Sequence, residues 1–122
     1  MKKGITKPAI MLAISLLVGL LAVPASAIPV CSFTISPNPA ECPGVVTLDA
    51  SSSTGNPPLY YYWDTDGDGQ FDDATGMIVT GVTLGPPGTY SIGLAVLDAD
   101  YIYDVCFNEV QVIDTLPPDW YT

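Results

Sequence analysis

Between Asp64 and Asp73 the chain reads Asp64-Thr65-Asp66-Gly67-Asp68-Gly69-Gln70-Phe71-Asp72-Asp73, five carboxylates in ten residues. Carboxylates at relative positions 1, 3 and 5 converge on one cation when a glycine at position 6 permits a sharp turn, and Gly69 holds that position. Gln70 at position 7 has a backbone carbonyl to offer, and the apolar Phe71 at position 8 can anchor the loop. Oxygen-only donors select Ca²⁺ over zinc or copper. Carboxylates this close, with no cation beside them, repel one another strongly. The candidate metal ligands are therefore Asp64, Asp66, Asp68, Gln70, Asp72 and Asp73, and a structural Ca²⁺ is the expected cofactor. The alternative is an Asp/Gly turn whose side chains bond to their own backbone.

The spacing is that of an EF-hand-type loop up to position 12, where Thr75 replaces the bidentate Glu. Asp72 and Asp73 are the substitutes, as in the shorter Asp-x-Asp-x-Asp-Gly-x-x-Asp loops of extracellular calcium repeats. Without the Glu, the expected affinity is the weak one of extracellular modules.

Little else in the chain can do chemistry. It has no His and three Lys+Arg, all of them lysines within the first seven residues. Beyond them stand thirteen carboxylates and no basic side chain. No nucleophile–base pair of the usual kinds can be assembled. Paired Asp residues can cleave glycosides, but a domain this small leaves little room for a substrate cleft. The chain is not expected to be an enzyme. A uniformly negative field also repels nucleic acid and anionic lipid.

The lysines belong to a leader. Lys2, Lys3 and Lys7 precede an apolar run from Ile10 to Val23, and Pro24-Ala25-Ser26-Ala27 offers small residues where a signal peptidase cuts. Residues 1–27 are expected to form a secretory signal helix. The run is short for a membrane span, which needs about 20 residues. A pilin-type cut after Gly4 would leave Lys7 and Pro8 inside the retained helix, a poor fit. The mature part is then secreted, extracellular or at the cell surface, with no membrane insertion. Cys31, Cys42 and Cys106 remain in it, so one disulfide and one left-over cysteine are expected.

The mature part has no helical periodicity and reads as short β segments between turn signals. Segments fall at 31–35, 45–48, 59–63, 77–84, 89–97 and 101–113. About seven short strands predict an all-β, antiparallel two-sheet sandwich. The domain is placed at 28–114, with 115–122 as a loose tail. In the 89–97 strand, Tyr90, Ile92, Leu94 and Val96 share one face, which is the core. In the last strand Val110 and Val112 suit the core and Cys106 has their parity. Tyr101, Tyr103, Val105 and Phe107 take the opposite parity.

Three motifs in order carry a family resemblance: Gly44-Val-Val-Thr-Leu-Asp-Ala-Ser-Ser-Ser53, Tyr61-Tyr62-Trp63-Asp64 followed by Asp68-Gly69, and Gly88-Thr-Tyr-Ser-Ile-Gly-Leu-Ala-Val96. With Ser36-Pro37 they resemble the PKD domain across about residues 31–114. The departure follows Asp64, where Thr65 to Asp73 replaces the family's Phe-Gly-Asp-Gly turn. The resemblance implies an immunoglobulin-like sandwich. It also turns Tyr61 and Trp63 inward and Tyr60 and Tyr62 outward.

If these strands are sheet neighbours, as the resemblance implies, Tyr60, Tyr62, Tyr103 and Phe107 form an apolar outer face beside Gly93 and Ala95. Such a patch marks a contact surface, unless a bulge flips part of the last strand or the tail covers it. In this topology the first strand begins at the end where the last two are joined, which implies a Cys31–Cys106 disulfide. A local Cys31–Cys42 bridge is the alternative. The functional expectation is a non-catalytic adhesion module contacting a surface protein or polysaccharide. The second expectation is a structural subunit of a surface layer or filament, binding copies of itself.

Overall fold

The computed structural model describes residues 28–115. The leader expected at 1–27 lies outside them, and of the tail only Thr115 is described, its N–H donating to the Glu41 carboxylate. Eight strands make up the described residues: β1 (Thr34–Ser36), β2 (Ala40–Glu41), β3 (Val45–Asp49), β4 (Tyr60–Asp64), β5 (Ala74–Thr75), β6 (Ile78–Thr83), β7 (Gly88–Leu97) and β8 (Tyr103–Ile113). They form a three-stranded sheet, β1-β3-β6, and a five-stranded sheet, β2-β8-β7-β4-β5. All pairings are antiparallel except β2 with β8.

The two sheets bury the alternating faces the sequence predicts. Ile92, Leu94 and Val96 of β7, Val110 of β8, Trp63 of β4 and Leu48 of β3 are each 0% exposed. Full burial of such side chains contributes roughly 1.5–3 kcal/mol apiece. Phe33 meets Trp63 edge to face, with ring centroids 5.0 Å apart. The indole N–H donates to the Gly76 carbonyl, so the one polar atom of this buried ring is satisfied.

Two strand starts differ from the sequence reading by two residues or more, the other boundaries by at most one. The first strand begins at Thr34 rather than Cys31, because Ser53 takes over the preceding backbone: its hydroxyl accepts from Ser32 N–H and donates to Ser32 C=O. The last strand begins at Tyr103 rather than Tyr101. Asp98 Oδ1 accepts the N–H groups of Asp100 and Ile102, and Tyr101 takes a left-handed conformation with φ 63°. This is a three-residue hairpin loop ending in a left-handed residue.

Cys31 and Cys106 are joined across a sequence separation of 75, their Cα atoms 5.6 Å apart. Cys31 sits at the β7–β8 turn end, where its N–H donates to Asp104. Cys42 lies at the opposite end, beside Ile113, and is free and half-buried. The local Cys31–Cys42 bridge is therefore not formed.

Candidate functional site

β4 continues directly into the acidic loop. Tyr60, Tyr62 and Asp64 share the outer face of that strand by alternation, yet Asp64 is 2% exposed. Its own loop folds back over it: Gly67 N–H donates to Oδ1 at 2.8 Å and Gly69 N–H to Oδ2 at 2.9 Å. Both glycines take positive φ, 76° and 86°, which lets the backbone wrap a single carboxylate. Further along, Asp66 accepts from Asp68 N–H and Asp68 from Gln70 N–H. Asp73 closes the loop by accepting from the N–H groups of Thr65 and Asp66.

This arrangement brings Asp64, Asp66, Asp68 and Asp73 together, with one ligand atom of each within 4.8 Å of the others, where they could hold a metal ion. Asp72 stands outside that group. Gln70 contributes the N–H bond to Asp68 noted above. The donor set is all oxygen and negatively charged, which suits a hard divalent cation. Electrostatics strain the group in opposite directions. Burial pushes the Asp64 carboxyl up, but the N–H groups of Gly69 and Gly67 and a hydrogen bond shared with Asp66 outweigh it and hold it below its ordinary value. For Asp66 the Asp68 N–H acts downward. Desolvation, the bond shared with Asp64 and the charges of Asp68 and Asp73 together overcome it, leaving Asp66 raised.

The aromatic face is contiguous with this loop. The β7–β8 register runs unbroken from Gly88↔Val112 to Leu97↔Tyr103, so no bulge flips the last strand. Three rows cross the sheet on its outer side: Tyr60–Leu97–Tyr103, Tyr62–Ala95–Val105 and Asp64–Gly93–Phe107. Large rings on β4 and β8 thus flank smaller residues on β7, and neighbouring strands lie about 4.8 Å apart. The result is a trough roughly 10 Å wide along β7. Tyr60, Tyr62, Tyr103 and Phe107 are all exposed along it.

The trough has unlike ends. At Gly93, Phe71 from the acidic loop fills the space a side chain would take: a Cβ added there would lie 3.0 Å from the Phe71 ring and 2.8 Å from Phe107. Only glycine admits both rings. At Leu97 the trough opens into a cleft of about 400 Å³ lined by Tyr60, Tyr62, Asp98 and Tyr101, among others. Neither the buried Asp98 nor the turn geometry of Tyr101 is signalled by the sequence pattern, since Asp98-Ala99-Asp100 reads as an ordinary turn.

No protein-family model and no curated protein matches the sequence. Among solved structures, the chain is similar to one described as the structural basis for the promiscuous specificity of carbohydrate-binding modules from the β-sandwich superfamily. The identity is 29% and the TM-score 0.63, over 75% of this chain. The match spans 37% of that longer chain. It is also similar to the PKD1 domain of Vibrio anguillarum Epp, with 20% identity, TM-score 0.55 and coverage of 74% of this chain and 99% of that one. The second likeness is one of fold, and it is the PKD sandwich that the three sequence motifs imply.

Proposed function

We propose that this chain is a secreted, non-catalytic binding module that contacts carbohydrate through the trough on its five-stranded sheet. Ca²⁺ in the acidic loop is its structural support. The observation that carries the reading is the row of exposed rings, Tyr60 and Tyr62 on one side and Tyr103 and Phe107 on the other, held in register by an unbroken ladder. Flat aromatic faces bury much area at little cost in side-chain entropy and leave tyrosine hydroxyls free to hydrogen-bond. That combination suits a sugar, which has apolar C–H faces and polar edges. The 29% identity to a carbohydrate-binding β-sandwich supports the same ligand class. Attachment to a polysaccharide at a cell surface follows as the biological role.

Calcium enters through the anchor. The loop that gathers the four carboxylates also sets Phe71 over Gly93, so ordering the loop completes one end of the trough. Asp64, Asp66, Asp68 and Asp73 would hold the ion.

Affinity electrophoresis through gels carrying neutral polysaccharides (a mixed-linkage β-glucan, a xylan, a galactomannan) tests the reading. Retardation that is lost in the double variant Tyr62→Ala/Tyr103→Ala is the expected result. Free migration in every gel, with self-association seen by sedimentation, would replace it with contact between copies.

A further inference from the structure

The open end of the trough has features that a general contact face does not require. Tyr101 is 85% exposed and its backbone sits at φ 63°, a conformation unfavourable for a bulky side chain. The final position of such a three-residue hairpin loop ordinarily takes glycine. An exposed aromatic ring held in a strained turn contributes little to the core, so the strain points to a role in contact. Beneath it lies Asp98, 1% exposed. One of its oxygens accepts two backbone N–H groups, and the other, Oδ2, has no hydrogen-bond partner among the described residues. Buried polar atoms are almost always paired, and an orphaned one calls for a donor from outside the described residues. Both residues line the same cleft, of about 400 Å³, whose opposite wall is Tyr60 and Tyr62.

We infer that this cleft is the subsite for a single uncharged sugar ring, packed between Tyr101 and the Tyr60–Tyr62 wall, with Asp98 accepting from its hydroxyls. The assignment rests on the reading of the module as carbohydrate-binding. A uronate or sulfate is disfavoured because the described residues carry twelve carboxylates and no Lys, Arg or His to pair with it. The sugar's hydroxyls supply the donors that a carboxylate can accept and that the described residues do not provide to Oδ2. Rings on two sides supply the stacking surface.

The test uses the full chain with its disulfide intact, titrated calorimetrically with neutral hexasaccharides of glucose, mannose and xylose, and with an alginate hexasaccharide. Binding of a neutral hexasaccharide but not the alginate is expected. Tyr101→Gly should weaken it by about tenfold or more, as for a central aromatic contact, without lowering the melting temperature, because glycine relieves the turn. Asp98→Asn, which keeps an acceptor for the turn, should weaken binding while its unfolding stays cooperative. If a neutral glycan binds and both variants match the parent, while Tyr103→Ala or Phe107→Ala weakens it, the cleft is the wrong subsite and the trough reading stands. Preference for the alginate would overturn the uncharged ligand. A drop in melting temperature for Tyr101→Gly would assign that ring to the fold instead. No binding to any glycan would remove the broader reading as well.

Discussion

Phe71 and Phe107 meet over Gly93, their ring centroids 6.2 Å apart and their planes inclined at 49°. This contact joins the acidic loop to the β-sheet through side chains alone. Because Gly93 has no Cβ, the two rings can settle onto the β7 backbone. Gly93→Ala should push both outward and lower stability by about 1 kcal/mol, near the lower end for overpacking because the rings are partly free to swing. Urea unfolding measures it. An unchanged midpoint would mean that Phe71 does not hold the loop down.

Calcium at about 100 times its dissociation constant should add roughly 2.7 kcal/mol to the stability of the folded chain. For a domain of this size that raises the melting temperature on the order of ten degrees. Asp66→Ala or Asp68→Ala should abolish the shift, and Mg²⁺, which demands stricter octahedral geometry, should not reproduce it. An equal response to Mg²⁺ would reduce the cluster to a nonspecific sink for divalent charge.

Opening the Cys31–Cys106 bridge releases a loop of 75 residues. In the chain-entropy description this costs about 4 kcal/mol. The double variant Cys31→Ser/Cys106→Ser should therefore unfold at much lower denaturant, while Cys42→Ser should leave the midpoint nearly unchanged. Comparable losses in both would indicate that Cys42 carries packing the fold depends on.

The Asp49 carboxylate is held below its ordinary pKa, first by the Ser51 hydroxyl and then by the Ser51 N–H, which donates to it at 2.9 Å. A depressed folded value means that the bond contributes above the ordinary Asp pKa, about 3.9, and that its contribution disappears as pH falls through the lower folded value. Asp49→Ala should thus be less stable than the parent at pH 7 and equal to it near pH 2. Unfolding curves at the two pH values decide it. A difference that persists in acid would assign the effect to packing.

The core was legible because β7 alternates strictly, and Tyr90, Ile92, Leu94 and Val96 announce their face without help from any other segment. Trp63 and the outward tyrosines followed once the PKD motifs set the parity of β4. The carboxylate cluster was legible in type and in its four members, Asp64, Asp66, Asp68 and Asp73, but not in the exclusion of Asp72. Which of Asp72 and Asp73 turns inward depends on the backbone bond from Asp73 N–H to Trp63 C=O, a contact that no spacing rule contains. Asp64 reads as an outward residue by alternation and is buried only because the following residues close over it. Asp98 stayed hidden for a related reason. Its turn packs against a distant loop, with Ala99 N–H donating to Asn56 C=O, so its burial arises from a pairing of segments far apart in sequence.

The disulfide between Cys31 and Cys106 also has a mechanical consequence. Tension applied between the first described residues and β8 passes through the sulfur–sulfur bond, bypassing the strands between them. The 75-residue stretch inside the loop, about 250 Å if drawn out straight, is closed to extension. The β4 wall and the β7 floor of the trough lie within that stretch. A load along this path reaches the exposed tyrosines of β4 only after a covalent bond has been broken.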